Sequence, residues 1–176
     1  MALFLEPLFF KFSNMEIHDF KSIVGRIQDV KVGMFTTMCK DNQLRSRPMT
    51  TCEVEEEGFL WFFTSINSKL IDDLIEQDNV NISYTDINKN LFISIKGQAI
   101  LVRSKTKIEK LWNPLAKAWF PKGLEDPELV LVKIQVTQAE IWDSGSSKIV
   151  ILAKIIKAIV TGEEYKDPTA HQVINL

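Results

Sequence analysis

The chain has 176 residues, 45% of them hydrophobic, enough to bury one sizeable core and too few to expect two full domains. A formal net charge of -2 and a pI near 5.8, with lysines and acids mixed along the chain, argue against a general nucleic-acid binder. Two cysteines, Cys39 and Cys52, make no disulfide framework and point to a reducing, cytoplasmic setting.

The opening MALFLEPLFFKFSN is apolar, but it lacks a basic n-region and a small-residue cleavage site, and it carries Glu6 and Pro7. It is also too short to span a bilayer. Residues 1–14 are read as an arm or upstream extension, and residues 15–176 as a single domain with no membrane segment. From Glu16 to Asp29, Ile17, Phe20, Ile23, Val24 and Ile27 recur at helical spacing and predict an amphipathic helix. Strands are predicted at 32–39, 44–53, 58–64, 79–84 and 91–102, rich in β-branched and aromatic residues and separated by the turn signals KDNQ, EEEG and DINKN. Short connections imply antiparallel pairing. The third strand, GFLWFF, is apolar on both faces, so the barrel interior must cover one and a helix or second subunit the other.

NSKLIDDLIEQ, 67–77, predicts a helix capped by Asn67 or Ser68 and buried through Leu70, Leu74 and Ile75, with Asp72, Asp73 and Glu76 on a solvated face. A second helix is expected from about Ser104 and is disturbed at Pro114. LVLVKIQVTQAEIWD, 129–143, reads as one long strand, and a last helix is expected from about Ser147 to Val160, stopped by Gly162 and followed by a polar tail. About six antiparallel strands with peripheral helices make a mainly β protein, a small barrel.

The stretch LRSRPMTT, 44–51, holds two of the four arginines in the chain. If EEEG closes a hairpin, paired residues sum to about 113, which sets Arg47 opposite Ile66 within two positions. That is where the third strand ends and the helix of NSKLIDDL begins. The junction Thr64-Ser65-Ile66-Asn67-Ser68-Lys69 offers hydroxyls, helix N-terminal N–H groups and an ammonium, an arrangement suited to phosphate, with Arg47 as the forked donor and Lys69 as the second charge. The plainer alternative is a helix cap flanked by solvated charges. Pro48 marks an edge or bulge, and Arg45 is assigned to the surface. His18 and His171 lack carboxylates or thiols at ligand spacing, so no metal site is expected. Large aromatics at Trp112, Trp119 and Phe120 are read first as core or interface.

The ordered series RPM, GFLWFFTSINSKLIDDL, DNVNISYTD, FISIKGQA, LWNP, WFPKG and DPELVLVKIQVTQAEIWD resembles the general stress protein 26 branch of the pyridoxamine 5'-phosphate oxidase-like flavoproteins, from about Glu16 to the tail. That resemblance implies a six-stranded antiparallel split β-barrel with peripheral helices, a homodimer, and FMN, with FAD as an alternative, in a cleft shared between subunits. Carried over residue by residue, it implies phosphate contact by Arg47 and by the segment of Thr64, Ser68 and Lys69, within which Ser65 and Asn67 sit, with Phe63 beside it as a further cofactor-binding residue. Pro48, Met49 and Thr50 would line the flavin ring edge, with Gln98, Trp112 and Trp142 approaching from the partner subunit. One departure matters: no arginine follows Arg103, whereas pyridoxamine phosphate oxidase proper uses an arginine-bearing C-terminal segment to hold its substrate. Activity on pyridoxamine phosphate is therefore not expected. A flavin-dependent oxidoreductase of unknown substrate is the reading, with a non-catalytic flavin-binding carrier or interaction protein as the alternative.

Overall fold

A computed structural model describes residues 13–143 and 170–176. The expected N-terminal arm, apart from its last two residues, and the expected helix from Ser147 to Val160 lie outside the described residues. Helix α1 (Ser13–Val30) leads into β1 (Val32–Met38), β2 (Leu44–Glu55) and β3 (Phe59–Ser65). Helix α2 (Lys69–Glu76) follows, then β4 (Asn79–Asp86), β5 (Leu91–Val102), helix α3 (Lys105–Leu111), a 3-10 turn over Pro114–Ala118, β6 (Leu129–Asp143) and β7 (Ala170–Asn175).

The sheet order is β3-β2-β1-β4-β5-β6-β7, and a further β3–β6 ladder closes the first six strands into an antiparallel barrel. Alternation along the strands fills the barrel. Phe35, Leu60, Phe62, Ile82, Ile93, Ile95, Val132 and Ile134 are all almost fully buried, and Phe35 meets Phe62 edge to face at 5.3 Å between ring centres. Helix α1 adds Phe20, Ile23, Val24 and Ile27 to the same core.

The β6 strand is longer than the partner on its far edge. Leu129–Gln135 pair with β3, and Gln138–Asp143 pair with β7. The expected polar tail is therefore corrected: residues 170–175 form a strand. The cause is the length of β6 beyond β3, which leaves backbone donors and acceptors that another strand satisfies, while Ile174 enters the core. Where β5 passes β6 the ladder shifts at Lys96/Gly97, and a side chain at Gly97 would lie 2.5 Å from the Gln135 carbonyl oxygen.

Both faces of β3 are covered within one chain. Leu60 and Phe62 face the barrel, while Trp61 packs with Ile108 of α3, Phe120, Leu129 and Leu131 in a second cluster. Lys107 of α3 sits 4.4 Å above the Trp61 ring and is held by Glu53 and Glu55 of β2, so part of the acidic hairpin anchors α3 rather than standing in solvent.

The barrel is split beside β2. Thr51 pairs with Phe62, the register that the turn arithmetic gives, and a bulge separates Thr51 from Glu53. Before Thr51 the strand has β1 on one side and no β3 partner on the other. Pro48, which has no N–H to offer, sits in this half-paired stretch. Helix α2 packs against the same region, with Leu70, Ile71 and Leu74 buried. Ile71 takes the inward place expected for Ile75, which is 72% exposed in the last turn.

Candidate functional site

Arg45 and Arg47 are two residues apart on β2 and lie opposite Thr37 and Phe35 of β1, both buried, so the two arginines share the inward face. Their common partner is Asp73 of α2. Its carboxylate accepts from Thr37 Oγ1 at 2.7 Å, from Arg45 Nη1 at 3.0 and 3.2 Å, and from Arg47 Nη2 at 2.8 Å. Asp73 is only 4% exposed, which corrects its expected place on a solvated face; Asp72 and Glu76 are exposed as expected. Burial pushes the Asp73 carboxyl up, but hydrogen bonds from Thr37 and Arg47 and the charges of both arginines outweigh it and hold the group below the usual carboxylate range.

Arg47 is not fully used by this arrangement. Its Nη1 is buried and has no hydrogen-bond partner. Leaving such a donor unpaired costs about 1–3 kcal/mol, more when it is charged. Arg45, expected to be a surface residue, is half-exposed and anchored to Asp73. Two guanidiniums against one carboxylate leave one formal positive charge in the cluster.

At the β3–α2 junction, the Thr64 and Ser68 hydroxyls lie 3.1 Å apart. Ser68 holds the N-cap position, yet its side chain makes no capping bond to the helix. Ser65 Oγ donates to Glu128 at 2.8 Å and accepts the Asn67 N–H at 3.1 Å. Lys69 is exposed and, with Arg45 and Lys40, lines an open cleft of about 520 Å³ whose other charged walls are Asp41, Asp72 and Asp73. The charges balance along this cleft, so the unsatisfied positive group is Arg47 rather than the cleft wall.

The structure brings Phe63, Thr64, Ser65, Asn67, Ser68 and Lys69 together by sequence, and Arg47 reaches the same helix through Asp73. Trp112, at the end of α3, joins through Phe63, the two rings meeting edge on at 5.9 Å. Pro48 and Thr50 are exposed on the face opposite Arg47, while Met49 packs against the core on the Arg47 side. Gln98 on β5 pairs with Asn79 and Gln135, and Trp142 on β6 pairs with Phe92 and His171; neither strand adjoins β2 within one chain. Sequence reasoning missed Asp73 and Thr37. The signal for Asp73 was present, because it falls three residues after Leu70 and one before Leu74, on the apolar side of the helical period.

The sequence profile of the family described as "Pyridoxamine 5'-phosphate oxidase like" matches residues 18–166. The chain belongs to this family. A putative general stress protein 26 from Jannaschia sp. CCS1 has the same fold, with a TM-score of 0.70 at 24% identity over 90% of this chain and 97% of that one. The general stress FMN/FAD binding protein of Xanthomonas citri superposes with a TM-score of 0.60 at 29% identity, covering 76% of this chain and 91% of that one. Among curated proteins, Protein bli-3 of Neurospora crassa is 29% identical over 143 residues, which is 76% of this chain and 68% of its own. The resemblance drawn from the motif series holds, as does the split-barrel fold it implied.

Proposed function

We propose that the protein binds FMN by its phosphate where β2 meets the start of α2, and that it acts as a flavin-dependent oxidoreductase of still unnamed substrate. The observation that carries this reading is the buried, unpartnered Nη1 of Arg47. A phosphate oxygen is the acceptor chemistry such a donor lacks. The Ser68 hydroxyl, not used to cap α2, and the Lys69 ammonium fit the same group. Family membership and the FMN/FAD-binding relative at 29% identity support a flavin in particular. FAD is the alternative cofactor.

In this reading Arg47 and Lys69 hold the phosphate, with Thr64, Ser65, Asn67 and Ser68 supplying hydroxyl and amide bonds and Phe63 backing the site. The stretch Pro48-Met49-Thr50 has β1 on one side only, so its other backbone edge is available to the polar rim of a flat ring. Bound flavin would supply hydride or electron transfer, and the chain's part is to bind it, orient it and limit water.

A second copy of the chain is the proposed partner. The apolar face of β3 no longer argues for it, since α3 covers that face. Its support is the outer face of β1 and β2, where Val32 and Met34 are 49% and 45% exposed beside Pro48. Gln98 and Trp142 would come to the ring from that copy, while Trp112 already stands beside Phe63 in its own chain. Light scattering should give a dimer, and a monomer would remove the shared cleft.

Pro48, Met49 and Thr50 offer no titratable side chain to a ring beside them, which favours a second reading, a flavin carrier without turnover. Reduction of the bound flavin by NADH, NADPH or quinols separates the two. The cofactor reading is tested by Arg47→Ala combined with Lys69→Ala, which should abolish FMN binding in a chain whose circular dichroism is unchanged. Undiminished FMN affinity in that variant would overturn it.

A further inference from the structure

We infer that Asp73 is a positioning residue for the phosphate donor Arg47, holding the guanidinium by Nη2 so that Nη1 is kept for the cofactor. This rests on the flavin reading above. The geometry shows a shared carboxylate rather than a closed pair. An arginine that ended its bonding at Asp73 would present both terminal nitrogens to the carboxylate in a fork. Here Arg47 donates through Nη2 alone, to Oδ2, which also accepts from Thr37 Oγ1, while Arg45 Nη1 spans both oxygens. The carboxylate is thus shared by three side chains from two strands, crowded at Oδ2, and of the two terminal nitrogens of Arg47 one is bound and one unbound.

The anchor is buried on the Thr37 and Asp73 sides and open only at Arg45. Thr37 is 1% exposed and sits in the β1–β2 ladder, Arg45 and Arg47 share one strand, and Asp73 is flanked by buried Ile71 and Leu74 on α2. A donor fixed in this way loses little side-chain freedom when it meets an anion, which is how surrounding hydrogen bonds improve a site they do not touch. Arg45 has a separate part: without it, Asp73 would cancel the charge of Arg47 one for one, and the phosphate would face a neutral cluster.

The test compares FMN with riboflavin, which has the same ring and no phosphate, by quenching of flavin fluorescence on native protein, Asp73→Asn and Asp73→Ala. Asparagine keeps the shape should alanine fail to fold, and thermal unfolding checks both. Positioning predicts that the Asn variant binds FMN roughly tenfold more weakly, about the worth of one charge-assisted hydrogen bond, with riboflavin affinity unchanged. Equal weakening for both ligands, or no change in either, would reduce Asp73 to a structural tie and overturn the inference. Tighter FMN binding would overturn it as well, because Asp73 would then be a competitor for Arg47. Native protein that takes up no FMN at all brings down the flavin reading itself, whereas native binding with unaltered variants brings down this inference alone.

Discussion

Replacing Asp73 by alanine removes the acceptor of three side chains at once, and the structure sets the size of the effect. Breaking a buried ion pair by deleting one partner costs about 3–5 kcal/mol when the survivor is fully buried. Arg47 is 21% exposed at its side chain and Arg45 43%, so Arg45 can turn to water and its share falls toward the ~0.2–1 kcal/mol of surface pairs. Thr37 and Arg47 carry the rest, which gives a loss of about 2–4 kcal/mol for Asp73→Ala. Urea unfolding of cofactor-free protein at one fixed concentration measures it, since bound flavin or a shifting dimer would add its own stability. A double-mutant cycle with Arg47→Ala should return a coupling of about 1 kcal/mol or more, and the cycle with Arg45→Ala less. Acid should act in the same direction. The folded Asp73 carboxyl titrates below its unfolded range near 3.9, so its contribution is complete at neutral pH. As the pH falls the unfolded chain takes up its proton first, and stability drains away until the folded group is protonated too. A loss below about 1 kcal/mol for Asp73→Ala, with no flattening of the acid limb, would refute the account of a buried hub.

Two further outcomes follow from local geometry. Gly97→Ala should cost about 1–3 kcal/mol in the same unfolding assay, because the new methyl would meet the Gln135 carbonyl at 2.5 Å and Ile134 Cγ2 at 2.6 Å across the bulge; an unchanged midpoint would mean that the strands can part there. Burial pushes the Cys52 thiol up to about 11, so at pH 8 it should react with a thiol reagent far more slowly in the folded chain than in urea, and equal rates would contradict that burial.

The strands were legible in the sequence because each is a short β-branched or aromatic run closed by a turn signal, and all six barrel strands fall within a residue or two of their expected places. The hairpin register was legible to within one residue: the pairs beside the turn, such as Val54 with Leu60, run one position off the expected sum, and the bulge then brings Thr51 opposite Phe62. Extending that register to Arg47 is where the arithmetic ran out. The ladder with β3 ends at Thr51, and beyond it β2 faces α2, so the neighbour of Arg47 is a helix residue that strand counting cannot reach. Strand β7 was hidden for a different reason: AHQVIN has little pattern of its own, and its place is made by the part of β6 that β3 leaves open. Asp73 was misread because an acidic pair in a helix is usually solvated; its helical period already put it on the side of Leu70, and the packing of α2 against β1 buries it there.

The visible absorbance spectrum of the purified protein, recorded before and after FMN is added and the excess removed, tests the central claim most directly. The account predicts a flavin band that survives gel filtration at about one FMN per chain, and that Arg47→Ala with Lys69→Ala fails to retain. A folded native chain that stays colourless after exposure to FMN would contradict it.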